Sequence, residues 1–149
     1  MAQLRAQGYK AFYLAIGCQG GRTAGVPGED AAGIQTAVAL LRTVGGDESH
    51  KMTGKTVVIG GGNVAIDAAR VALRCGSSDV TMVCLEPREK MPASAEEIAE
   101  AEEEGTAIRC GYGPKEFLTK DGHVCGVVLK RCTGLYDAEA ALPPPMMKA

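Results

Sequence analysis

The sequence predicts an α/β domain: a Rossmann-like three-layer parallel sheet followed by a small antiparallel β hairpin or meander. Three observations carry this expectation. Short β-branched runs alternate with segments of helical periodicity through the middle of the chain, the order that builds a parallel sheet with right-handed crossovers. The first of those runs meets three consecutive glycines that open a helix. Glycine itself accounts for 20 of the 149 residues, about twice its usual share, which points to backbone turns working at close quarters.

The elements follow in order. Residues 9–16 (YKAFYLAI) read as a buried strand, closed by a loop at 17–28 with Gly20-Gly21 and Pro27-Gly28 turns. Ile34, Ala37, Val38, Leu41 and Val44 repeat at helical spacing, and Gly45-Gly46 end that helix. Polar residues 45–54 read as a linker. Residues 56–59 (TVVI) form the next strand, and a helix is expected from Asn63 to Arg74. A strand at 80–85 (VTMVCL) precedes a helix at 94–104, where Ser94 and Glu97 form a capping box and Gly105 supplies the stop. A short strand at 107–110 completes the parallel set. Residues 116–119 and 124–129 then flank Lys120-Asp121-Gly122, a hairpin signal. The end, 141–149, holds Pro143-Pro144-Pro145 and reads as a disordered Pro-rich tail.

Composition narrows the function classes. Hydrophobic residues at 46% and charged residues at 23% are the balance of an ordinary globular protein. A net charge of −2, both signs interspersed, offers no basic face to nucleic acid, and aromatics at 4% give no base-stacking platform. No run approaches the roughly 18 apolar residues of a membrane span. The first ten residues lack the apolar core of a secretory signal, so the chain is expected in the cytoplasm. The six cysteines make no C-x-x-C pair and no metal-like cluster, and are expected to be reduced and structural.

The chemistry concentrates at Gly60-Gly61-Gly62-Asn63-Val64-Ala65, which fits G-x-G-x-x-A in its required setting between a strand and a helix. Gly60 allows the sharp turn. Gly62 lets a pyrophosphate approach the backbone amides at the helix start. Ala65 begins a small-residue stripe with Ala68, Ala69 and Ala72 that brings the helix close to the sheet. Glu86 falls about 20 residues past this turn, at the end of the second strand, where an acid accepts hydrogen bonds from the adenosine ribose and repels a 2′-phosphate. Arg88 and Lys90 oppose that reading, since either could reach round to a phosphate. The acids of the glutamate-rich helix are expected to form a solvated face. His50 and His123 have no nucleophile or acid at a recognisable spacing, so no catalytic residue and no metal ligand is assigned.

The chain resembles the pyridine-nucleotide domain of the glutamate synthase small-subunit family of flavoproteins. The resemblance runs through residues 12–17 (FYLAIG), Gly21-Arg22, residues 27–30 (PGED), residues 58–70 and the stretch from Arg88 through Met91-Pro92-Ala93 to Glu96-Glu97. It implies an NAD(P)H-binding domain inserted in an FAD domain, with hydride passing from nicotinamide to flavin. The family's N-terminal iron–sulfur cysteines and first FAD fingerprint have no counterpart here, so the resemblance implies an excised domain, inactive alone, with FAD only in the full-length parent enzyme. Many members that use the phosphorylated cofactor carry two arginines where this chain has Leu85-Glu86, so the resemblance favours NAD(H) over NADP(H).

The expected organisation is therefore an NAD(P)-binding domain at 1–140, in which 1–45 is a leading strand and helix from the FAD-domain junction and 54–132 is the dinucleotide-binding core. The expected partners are the dinucleotide, the FAD domain and a partner subunit, with neither nucleic acid nor membrane. Two other classes share parts of the pattern. A methyltransferase using S-adenosylmethionine also has a glycine-rich turn and an acid after its second strand, and a non-catalytic dinucleotide-binding module would need nothing more than the turn itself.

Overall fold

In the computed structural model, residues 1–134 are described; the tail expected at 141–149 lies outside them. Strands β1 (Lys55–Ile59), β2 (Asp79–Cys84) and β3 (Ala107–Cys110) form a parallel sheet in the order β1-β2-β3. Its register aligns Val58, Met82 and Ile108 on one face. The crossover helices α3 (Asn63–Arg74) and α4 (Ala95–Glu103) cover that face. Because side chains alternate along a strand, the β-branched residues of β1 and β2 split between two faces, and only one acquires the helices.

The core lies between sheet and helices: Ile66, Ala69 and Ala72 of α3, Val80 and Met82 of β2, and Ile98 and Ala101 of α4. Ala69, Ala72 and Ala101 are fully buried, so the small-residue stripe acts as expected and lets α3 approach the strands. Ile66 is also fully buried, worth about 1.5–3 kcal/mol of apolar burial. Met52, in the segment expected as a linker, packs on this core, and its N–H donates to the Cys75 carbonyl at 2.9 Å.

Charge ties α3 to α4. Arg70 reaches Glu97 at 3.2 Å, Glu100 at 2.8 Å and Glu104 at 2.7 Å, while Arg74 meets Glu104 at 2.5 Å. The acidic helix thus faces water as expected, yet much of its charge is engaged by arginines, because α3 presents Arg70 and Arg74 one turn apart along the contact. The capping box is only half made. Ser94 Oγ accepts from the Glu97 N–H at 3.3 Å, but the Ser94 N–H donates to Asn63 Oδ1 at 3.0 Å, and the Glu97 carboxylate goes to Arg70.

Three expectations are corrected. Residues 9–16 form no strand: Tyr13, Leu14 and Ile16 are 94%, 70% and 81% exposed. A strand needs a neighbouring edge for its N–H and C=O groups, and the described residues provide none to this segment. It follows a short helix, α1 (Ala2–Ala6), which buries no residue. The second helix, α2 (Ala37–Gly46), starts later than Ile34, capped by Thr36, and runs through both glycines. Its stop is a side-chain turn instead, in which Asp47 Oδ1 accepts from the Ser49 N–H at 2.9 Å.

The hairpin exists and is longer than its sequence signal, with β4 (Tyr112–Lys120) antiparallel to β5 (His123–Arg131). Asp121 and Gly122 both take left-handed φ, 52° and 77°, as a two-residue turn between twisted strands requires. Residues 27–32 lie along this hairpin: the Phe117 N–H donates to Pro27 and the Val124 N–H to Ala32, both at 2.9 Å. Gly28 faces the Phe117 carbonyl so closely that a side chain would overlap it. Leu85 packs on Gly113 of β4, which brings the hairpin against the end of β2.

The Arg74 and Arg70 guanidiniums hold the Glu104 carboxyl below the usual carboxylate range. A lowered acid stabilises the fold above its ordinary pKa and loses that contribution as pH falls through the folded value. Glu104→Gln is therefore expected to melt lower than the parent chain near neutrality, with the gap closing as the pH falls below the ordinary carboxylate range. A gap of constant size across thermal melts at each pH would contradict this role.

Candidate functional site

The carboxyl ends of β1 and β2 open onto a cleft, as expected for ligands of a parallel α/β sheet. The cleft has a volume of about 370 Å³, and Gly60, Gly61, Cys84 and Glu86 form its sheet side, while Tyr112 and Lys130 of the hairpin form the other. Val26, from the segment that lies along the hairpin, also lines it. Glu29 fixes that segment by accepting from the Ala24 and Gly25 N–H groups at 2.5 and 2.7 Å.

The glycine turn is built by close approach. The Gly60 N–H still pairs with the Val83 carbonyl at 2.9 Å, after which φ of +142° turns the chain sharply away from the sheet. A Cβ on Gly60 would lie 3.3 Å from that of Ala65, so these two positions make the tight strand–helix contact. Gly61 is buried; a Cβ there would stand 2.9 Å from the Cys84 Cβ and 3.1 Å from Glu86 Oε2. Gly62 is different. It stands at the N-cap of α3 with no side-chain cap, and the space where its Cβ would be is open.

The sequence-predicted residues divide accordingly. Gly60, Gly61 and Glu86 line the cleft together. Gly62 and Val64 are at the start of α3, Val64 exposed, where the first amides of a helix and its dipole favour an anion. Ala65 is buried as a packing residue. Asn63 spends its side-chain oxygen on the Ser94 N–H, tying the start of α4 to the glycine turn. Arg88 is not among the cleft residues: it sits on a short 3₁₀ turn (Arg88–Lys90), and its Nη2 lies 2.5 Å from Glu102 Oε2 on α4. Glu86 also receives the Gly111 N–H on its own carbonyl at 3.1 Å, which holds the end of β2 in place.

Sequence reasoning missed Lys130 and Tyr112. Both come from a hairpin whose placement over the cleft is a tertiary fact, and neither stands in a recognisable motif. The two histidines take no part; His123 Nδ1 is 3.0 Å from the carbonyl of Asp121, within its own turn. Cys84 forms part of the cleft floor, opposite Cys110 in the strand register. Burial, and then a hydrogen bond with the Cys110 thiol, pushes the Cys84 thiol up to about 12, so it is a neutral packing group. Among the described residues no group of three or more His, Cys, Asp or Glu could hold a metal ion, and no helix is long and apolar enough to cross a membrane.

Residues 3–141 match the family model for pyridine nucleotide-disulphide oxidoreductases. Among individual proteins, the chain is 37% identical over 122 residues to the NADP(+)-dependent formate dehydrogenase subunit beta of Moorella thermoacetica, covering 80% of this chain and 17% of that protein. It is 32% identical over 135 residues to the glutamate synthase [NADPH] small chain of Escherichia coli, covering 83% of this chain and 29% of the other. In three dimensions it resembles FprA from Mycobacterium tuberculosis in complex with NADPH, with a TM-score of 0.60 and 21% identity over 78% of this chain and 42% of that one. The thioredoxin reductase of Lactococcus lactis gives a TM-score of 0.57 at 24% identity, over 75% of this chain and 35% of that one. The chain thus spans well under half the length of the proteins it matches. It belongs to the pyridine nucleotide-disulphide oxidoreductase family, which favours a dinucleotide fold over the methyltransferase alternative.

The thiol environments make a direct check possible. With the native chain at about pH 7.5, iodoacetamide is expected to modify the exposed Cys18 and Cys125 and to spare Cys84 until the protein is unfolded. Peptide mapping that finds Cys84 alkylated as fast as Cys18 in the folded chain would show that the cleft floor is not closed.

Proposed function

We propose that this chain is the nicotinamide-dinucleotide-binding domain of a flavin-dependent oxidoreductase similar to the glutamate synthase small subunit, and that it positions NAD(P)H for hydride transfer to FAD. The observation that carries the reading is the uncovered Gly62 at the start of α3, beside a cleft that has Glu86 at the end of β2. A bound dinucleotide would supply the hydride, and FAD held by the rest of the parent enzyme would accept it. The chain's own residues bind and orient. Gly60 and Gly61 shape the turn, Gly62, Asn63 and Val64 present the helix start to the pyrophosphate, and Ala65 keeps α3 close to the sheet. Lys130, from across the cleft, adds a positive charge for the same anion.

In this reading residues 54–132 are the dinucleotide-binding core, and 1–45 lead to the FAD domain. The exposed Tyr13, Leu14 and Ile16 support a segment that completes its pairing against that neighbour. A partner subunit and a cytoplasmic setting belong to the same proposal, the latter supported by six free cysteines.

For the nucleotide itself we favour NAD(H). Glu86 sits beside Gly61, placed to accept from ribose hydroxyls and to repel a 2′-phosphate, and Arg88 is engaged elsewhere. The second reading, NADP(H), is favoured by the names of the formate dehydrogenase and glutamate synthase relatives.

Calorimetric titration with NADH, NADPH and S-adenosylmethionine tests both. NADH is expected to bind, NADPH more weakly and S-adenosylmethionine not at all. Gly62→Val should weaken NADH by well over about tenfold, since its side chain would enter the space the pyrophosphate needs. Glu86→Arg should move the preference towards NADPH. Unchanged NADH affinity in Gly62→Val would refute the site, and tighter NADPH than NADH binding by the parent chain would refute the NAD(H) choice.

A further inference from the structure

We propose that Glu102, on α4, is a positioning residue for cofactor choice: it holds the Arg88 guanidinium away from the adenosine-ribose end of the cleft and so withholds a cation from any 2′-phosphate. The inference rests on the dinucleotide reading above and deepens it. Arg88 follows Glu86 by two residues, across Pro87, and starts the 3₁₀ turn that leaves the end of β2. It is therefore the first arginine after the ribose carboxylate. An unpaired guanidinium at this point would suit a phosphate, because its planar fork presents parallel N–H groups to two phosphate oxygens. Instead its Nη2 is 2.5 Å from Glu102 Oε2, both side chains being about two-fifths exposed at 42% and 43%.

The latch is set from outside the cleft. Glu97, Glu100 and Glu104 of the same acidic segment are engaged by Arg70 and Arg74 of α3, and Ser94 caps the helix start. These contacts fix the rotation of α4, so Glu102 meets the turn at Arg88 in one defined place. A 2′-phosphate recruiting Arg88 must break this pair and leave the Glu102 carboxylate without its partner. Since exposed ion pairs contribute modestly, the expected bias against the phosphorylated cofactor is about threefold to fivefold, on top of repulsion by Glu86.

Calorimetry with NADH and NADPH on the full 149-residue chain tests the latch through a ratio that a merely structural role would not move. Glu102→Gln keeps the helix and removes the charge. It is expected to tighten NADPH by about threefold to fivefold and leave NADH unchanged. Glu102→Ala should give the same shift, and adding Arg88→Ala to Glu102→Gln should return the ratio to that of the parent chain. An unchanged NADPH-to-NADH ratio in both Glu102 variants, with NADH still bound normally, overturns the latch and leaves the dinucleotide site intact. A gain that persists in the double variant also overturns it, because the gain would not pass through Arg88. If the parent chain binds neither dinucleotide, the site reading itself fails and the latch with it.

Discussion

Where a Cβ on Gly61 would stand, the Cys84 Cβ lies at 2.9 Å and Glu86 Oε2 at 3.1 Å, with Pro92 just behind. That exclusion of any side chain fixes how the end of β1, the end of β2 and the loop before α4 meet. The Ala93 N–H donates to the Gly61 carbonyl at 3.0 Å, and Asn63 binds the Ser94 N–H, so the glycine turn also sets where α4 begins. From there the α3 stripe and the arginine clamp determine how α4 lies along α3. Moving the turn by the width of a methyl group would displace each of these contacts, which is why close packing here and the shape of the cleft are one constraint rather than two.

The same crowding sorts the polar groups. Two glutamates end in different roles because of what stands near them. Glu86 faces a glycine and a cleft. Glu104 faces two guanidiniums and becomes a fastener. Cys84, in apolar surroundings beside a second thiol, is kept neutral. Residue type alone does not distinguish these fates; the immediate neighbours of each group do.

What the sequence made legible follows from the range of the interactions involved. The bounds of α3, Asn63 to Arg74, agree with the reading from sequence because its signals are local: glycine before it, a period of apolar residues within it, and a turn at Gly76 with φ of +105° after it. Positions 9–16 are apolar for a reason that local pattern cannot separate from burial inside this chain, so the strand expected there has no edge to join. The hairpin runs beyond its sequence signal because β4 passes through Gly113 and Pro114, with an irregularity in pairing after Pro114. Lys130 and Tyr112 reach the cleft only because the hairpin folds across it. The direction of Arg88 was equally hidden, since its partner Glu102 lies 14 residues away on another element.

Fold and nucleotide preference are therefore separable. The parallel sheet, the glycine turn and the α3 start, which on the proposed reading cradle a pyrophosphate, depend on van der Waals contact and backbone geometry that tolerate little change. On the same reading, preference for one ribose over another rests on Glu86 and Arg88 near the end of β2. Arg88 and Glu102 are partly exposed and their pairing contributes modestly to stability, so it can be rearranged without cost to the core. On the proposed reading, Glu86 at the cleft repels a 2′-phosphate while Arg88, held by Glu102 on α4, is withheld from it, both from positions the fold leaves free to vary.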